Sequence, residues 1–230
     1  MKRLFLLMLI STMLLAACGG ADLPAEVNTD AGGEISSDDS ADDESVEVEL
    51  PEVEAGDCDA GIGPGLNLSL CEFRDSNLSG SNLAGANLTN SRFLDSNVSG
   101  SDFNGAIMVE VLFSDSNLSN SNFSKADMRK AVLSGINFSG SDFSEANLSE
   151  ALMRGVNLTG ADFSNTDLSD VLLSAANLTD VDFSGATLTG ADLSFSVLSG
   201  SNITAEQIAV AATTEGAVMP GSDGDEEIDY

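Results

Sequence analysis

The chain has 230 residues, of which 38 are Asp or Glu and only 8 are Lys or Arg, for a formal charge of -30. That balance argues against direct binding to nucleic acid at any salt, because phosphate binding needs cations. With no His, no Trp and three Cys, the usual nucleophile-and-base pairs and His-based metal sites cannot be assembled.

Lys2 and Arg3 precede an apolar run from Leu4 to Ala17, shorter than the ~20 residues that span a bilayer. A basic start, an apolar stretch and small residues at its end have the form of a secretory signal peptide. The ending Leu15-Ala16-Ala17-Cys18 resembles the bacterial lipobox. That resemblance implies removal of residues 1–17, diacylglycerol on the Cys18 thiol and a chain held on a membrane by its acyl groups. An ordinary signal peptide with an incidental Cys is the alternative. Residues 19–57 then contain fourteen acidic residues and no Lys or Arg. Such a segment buries too little apolar surface to offset its ordering entropy. Residues 18–57 are therefore expected to be a disordered acidic tether.

From Leu68 to Ile203 a large apolar residue returns at every fifth position without a break in phase, as at Leu68, Phe73, Leu78, Leu83 and Leu88. A small residue stands two before most of them, as at Ala86, Ala126 and Ala161. Neither the helical period nor the strand period produces this beat, whereas stacked short repeats do. Stretches such as Ser81-Asn82-Leu83-Ala84-Gly85 and Ala161-Asp162-Phe163-Ser164-Asn165 resemble the pentapeptide-repeat family. The resemblance implies an all-β fold, a right-handed quadrilateral β-helix with four pentapeptides per coil and the apolar and small positions pointing inward. A slower period of twenty agrees with a four-sided coil: Phe103, Phe123, Phe143, Phe163 and Phe183 form one series, and Asn77 through Asn177 another. The beat amounts to about seven coils, expected over 58–203 together with a leading segment.

Cys58 and Cys71 remain as an even pair outside the cytoplasm once Cys18 is lipidated. Cys71 stands at an inward small-residue position, so a disulfide would pin the leading segment over the open end of the rod. Two free thiols are the alternative. At the other end Thr204-Ala205-Glu206-Gln207 has capping-box form, and a short helix is expected to cover the last coil. Residues 204–230 thus divide into a capping helix and a disordered acidic tail.

No catalytic residues, cofactor or metal site are assigned. Carboxylates are plentiful, but no insertion between 68 and 203 rises to wall off a pocket. Asp142, Asp162 and Asp182 share one outer column, readable as a weak cation site or as a solvated acidic face. The few cations look structural, with Lys130 placed between Glu110 and Glu150, Lys125 beside Glu145 and Arg92 above Glu72. One outward series breaks the polar rule. Leu112, Val132, Leu152 and Leu172 are twenty apart and should make an apolar stripe, with Ile107 and Leu94 near its lower part. Contiguous apolar patches mark contacts, so this stripe is the candidate interface for self-association or a protein partner; four tolerated aliphatics is the plainer reading.

The chain is thus expected to be a non-catalytic lipoprotein of the cell envelope, displaying a rigid acidic rod to a partner. The resemblance carries an alternative, a DNA-mimic binding protein akin to the pentapeptide-repeat proteins that protect gyrase. Those act in the cytoplasm, whereas Leu15 to Cys18 directs this chain outward.

Overall fold

Every fifth residue from Gly65 to Gly200 has a positive φ, whatever its side chain. The typical corner is a four-residue turn. Ala86 N donates to Leu83 O at 3.0 Å and Ala126 N to Phe123 O at 3.0 Å, with the left-handed residue third, as in a type II turn. A corner every five residues squares the chain into a coil of twenty, so each residue lies over the one twenty positions earlier. Such is the architecture in the computed structural model, which describes residues 55–221: a right-handed quadrilateral β-helix of the pentapeptide-repeat type.

The coils pair in parallel from Asn67↔Asn87 upward. Side one carries the Leu68 series of central residues, side two the Phe73 series, side three the Leu78 series and side four the Leu83 series. Side two has the most regular strands, β1 (Glu72–Arg74), β2 (Arg92–Leu94) and β3 (Leu112–Ser114), paired β1-β2-β3 in parallel with Phe73↔Phe93↔Phe113 in register. Corners at Asp75 and Asp95 lack the turn bond; there Ser76 N and Ser96 N donate to the hydroxyls of Ser96 and Ser116 at 3.2 and 3.1 Å.

The core is the rod's axis. Central residues from Leu83 to Leu198 are buried, as are most of the small residues that alternate with them. On side four the rings of Phe103, Phe123 and Phe143 stack at 4.9 Å between neighbours, and Phe163 continues the column to Phe183 at 5.8 Å. A shorter column joins Phe73, Phe93 and Phe113 at 4.7 and 4.5 Å. Each fully buried side chain of this size contributes roughly 1.5–3 kcal/mol. Several inward serines are satisfied because the hydroxyl reaches a carbonyl on the coil below, such as Ser101 Oγ to Leu78 O at 2.8 Å and Ser141 Oγ to Leu118 O at 3.0 Å. Outside, side three bears the expected Asn ladder, with Asn157 Nδ2 donating to Asn137 Oδ1 at 3.1 Å.

Both ends are dressed. Cys58 and Cys71 form a disulfide with Cα atoms 5.5 Å apart, and Ile62 and Leu66 pack against the core nearby. Above the last full coil lies α1 (Ala205–Val210), opened by a capping box in which Gln207 N donates to Thr204 Oγ1 at 3.3 Å and Thr204 N to Gln207 Oε1 at 2.9 Å. Gln207 Nε2 also reaches Phe183 O at 2.7 Å and Ala186 O at 2.9 Å, satisfying carbonyls that would otherwise face an open end. The coil does not stop at Ile203, however. Ala212-Thr213-Thr214-Glu215-Gly216 and Ala217-Val218-Met219-Pro220-Gly221 are two further pentads, displaced by one residue. They pair as Asp192↔Thr213 and Val197↔Val218, because the upper edges of sides two and three need partners that a six-residue helix on side one cannot supply. The signal peptide, Cys18, the acidic tether to residue 54 and the tail from residue 222 lie outside the described residues.

Candidate interaction face

The outward residues of side two read Glu72, Arg92, Leu112, Val132, Leu152, Leu172 and Asp192 from bottom to top, each bridged to the next. The four aliphatics therefore form one row. Leu152 is the most open at 38%, while Leu112, Val132 and Leu172 are half-buried. Two residues expected near the row do not extend it. Leu94 is buried, and Ile107, though 46% exposed, sits on side one between Asn87 and Asp127.

What surrounds the row sharpens its character. From Leu112 to Ala175 side two is otherwise built from Ser114, Ser134, Ser174, Gly135, Gly155 and Arg154, with Asp115 at one corner as its sole carboxylate. Arg154 takes part in no ion pair among the described residues. Phe195, at a left-handed corner one coil above Ala175, is 63% exposed. Sequence reasoning passed over Phe195 because it occupies a corner rather than an outward ladder position. Its signal was an aromatic where the other corners are mostly Gly, Asn, Asp or charged.

Side four lies opposite and is acidic. Asp142, Asp162 and Asp182 stack in register, and each Oδ1 accepts from the backbone N–H two residues on, at 2.8, 2.7 and 2.8 Å. These carboxylates thus brace the chain locally and face outward as a column. Among the described residues no group of three or more acidic or Cys side chains is arranged to hold a metal ion. Hydrogen bonds from Ser184 and the Asn202 amide hold Asp182 below the usual carboxylate range.

The basic residues pair much as their spacing suggests. Lys125 reaches Glu145 at 3.9 Å, Lys130 reaches Glu150 at 3.9 Å and Arg92 reaches Glu72 at 3.6 Å. Glu110 forms no ion pair with Lys130. Arg74 adds Glu72 at 3.2 Å. The strongest pair is one the spacing did not announce: Arg129 grips Asp127 with two bonds of 2.8 Å. That guanidinium holds the Asp127 carboxyl below its usual range, against the effect of burial. Exposed pairs contribute little stability, but they set a carboxylate beside each of these cations and so leave no basic patch among the described residues. Among the described residues no helix is long and apolar enough to cross a membrane.

Comparison with known proteins agrees with the geometry. The family described as "Pentapeptide repeat region" matches residues 106–175 and 134–211, and "Pentapeptide repeats (8 copies)" matches 67–105. Among solved structures, a trypsin-treated form of QnrB1, a plasmid-mediated fluoroquinolone resistance protein, is 14% identical over 69% of this chain and 91% of that one, with a TM-score of 0.39. HetL, a pentapeptide repeat protein involved in heterocyst differentiation regulation in the cyanobacterium Nostoc, is 20% identical over 68% and 86%, with a TM-score of 0.30. A pentapeptide repeat protein from the Arabidopsis thaliana thylakoid lumen is 22% identical over 66% and 80%, with a TM-score of 0.23. No curated protein sequence matches the chain. Pentapeptide-repeat proteins are generally non-catalytic. The family matches cover well over half of the sequence, and the chain belongs to the pentapeptide-repeat family.

Proposed function

We propose that this protein is a membrane-anchored, non-catalytic interaction module of the cell envelope. Lipid on Cys18 holds it, the acidic segment to residue 54 spaces it from the membrane, and the β-helix presents side two to a protein partner or to a second copy of itself. The observation that carries this reading is the two-sidedness of the rod. Side four is a column of aspartates, while side two carries an aliphatic row, one carboxylate across four coils, and an Arg154 with no ion pair among the described residues. A chain of charge -30 repels most acidic surfaces, and side two is where that repulsion is weakest and apolar area is available.

Two experiments test the parts separately. Labelled palmitate and membrane fractionation test the anchor: the wild-type chain should carry label and sediment with membranes, and Cys18→Ser should lose both. A soluble, unlabelled wild-type protein would remove the anchor from the account. Replacing Leu152 and Leu172 together with Lys tests the face: the oligomer mass or the set of co-purifying proteins should change. If both stay as in the wild type, side two is not the contact.

A further inference from the structure

The aliphatic row on side two is flanked by two unlike edges. Two residues before Leu112, Val132, Leu152 and Leu172 stand Glu110, Lys130, Glu150 and Asp170, all exposed. Two residues after them stand Ser114, Ser134, Arg154 and Ser174, exposed or half-buried. One edge is therefore charged at every coil and net acidic, three carboxylates against Lys130. The other carries hydroxyls and a single cation, Arg154.

A face of this kind can meet its own copy in two ways, because two identical faces in isologous contact are related by a two-fold axis lying in the contact plane. With the axis across the rods, between the coils of Val132 and Leu152, the rods are antiparallel and each edge meets itself. Glu110 then faces Asp170 of the second copy, twice over, and Arg154 faces only Ser134. With the axis along the row, the rods are parallel and the charged edge of each lies over the hydroxyl edge of the other. Each aliphatic meets its own counterpart, Glu110 and Asp170 meet Ser114 and Ser174, and Arg154 meets Glu150. The Glu150 carboxylate has room for it, since its ion pair with Lys130 is long at 3.9 Å and uses Oε2. Like charges set opposite each other are costly, so the charge pattern selects the parallel arrangement.

The upper end of the face agrees. Phe195 stands on the hydroxyl edge with its ring against Gly216 of the coil above, where a Cβ would lie 2.6 Å from the ring. Val210, 48% exposed, stands on the charged edge at that level, its carbonyl accepting from Gly190 N at 2.9 Å. Parallel rods lay these two exposed apolar side chains together, whereas antiparallel rods set Phe195 beside Asp95. Arg92 and Asp192 end the row and face their own counterparts, which confines the dry contact to four coils, about 14 Å long. Such a contact falls short of the ~1,200–2,000 Å² of a standard interface, so the association is weak and reversible.

We propose that the partner of side two is a second copy of this chain, in a parallel two-fold dimer with Arg154 of each copy against Glu150 of the other. The inference rests on side two being the contact face and names what it contacts.

Cysteine crosslinking and sedimentation of the full chain in detergent micelles test it. Under mild oxidation L112C, V132C, L152C and L172C should each give a disulfide-linked dimer, and D162C on side four should not. The wild type should pass from monomer to dimer as concentration rises. R154E and E150R should each weaken that association at least about ten-fold, and the double variant R154E/E150R should restore it. The proposal is overturned by a wild type that stays monomeric, by crosslinks that form only when V132C is mixed with L152C, or by a double variant as weak as the single ones. A monomeric chain whose position 152 still captures a different protein in cells would leave side two standing as the contact face. Capture of nothing there would remove both.

Discussion

Phe138 meets Phe123 edge-on, with ring centroids 5.7 Å apart and planes at 76°, and meets Phe143 the same way at 5.4 Å and 68°. Phe138 stands on side three and the other two on side four, so this ring wedges between two coils of the stacked column and ties adjacent walls together. Removing it opens a cavity that the flanking walls, bonded to coils above and below, cannot collapse to fill. Phe138→Ala should cost about 3–5 kcal/mol, and Phe138→Leu distinctly less, in denaturant unfolding. A loss below ~1 kcal/mol for the alanine would mean the walls relax inward after all.

Ser91 and Ser141 occupy equivalent inward positions but differ in their partners. Ser141 Oγ donates to Leu118 O at 3.0 Å and accepts from Ser121 N at 3.2 Å. Ser91 Oγ is fully buried without a partner, directly above Cys71. Ser91→Ala should therefore stabilise the protein or leave it unchanged, while Ser141→Ala should lose about 1–3 kcal/mol by orphaning a buried donor. The two unfolding midpoints, measured side by side, decide it. Equal losses would contradict the difference in bonding.

The disulfide joins an exposed Cys58 to a buried Cys71 across thirteen positions of sequence. In the chain-entropy account, which is model-dependent, closing a loop of this size contributes ~3 kcal/mol. The paired variant C58S/C71S should unfold at a lower temperature, and limited proteolysis should cut first between residues 58 and 66. An unchanged melting temperature would mean that Gly56, Asp57 and the packing of Leu66 hold that end without the bond.

Asp182 offers a pH test whose sign is set by its hydrogen bonds. Its folded pKa lies below the ordinary aspartate value, about 3.9 in an unfolded chain. Its contribution to stability is therefore present above that value and disappears as pH falls through the lowered one. Wild type should be more stable than Asp182→Asn at pH 6, and the gap should close as pH drops below ~4. A variant more stable than wild type at pH 6 would mean repulsion from Asp162 outweighs the bonds from Ser184 and Asn202.

Much of this architecture was legible because one inward position recurs with no freedom. Leu83, Phe103 and Leu188 can be read as core wherever they fall in the beat, and the twenty-residue period places Leu152 beneath Leu172. The corners were harder. Gly80 and Asn90 announce a left-handed residue, but Lys125, Lys130 and Glu145 adopt the same positive φ because the coil above and below dictates it. The two pentads after the helix escaped because six helical residues and a one-residue shift hide Thr214 and Met219 from a count in fives. Ile107 lies beside the row rather than in it for a simple geometric reason: five residues before a member of the row is the adjoining side. The Arg129 clamp on Asp127 was invisible to a search along columns, since those residues are two apart on one side.

The central claim is that side two, and not the acidic side opposite, is the surface through which this rod meets another protein. Photo-crosslinking in intact cells tests it most directly, with a crosslinker placed at position 152 in one strain and at 162 in another. The account predicts a protein adduct from 152 that is absent or much weaker from 162. Adducts of equal yield from both positions, or none from 152, would contradict it.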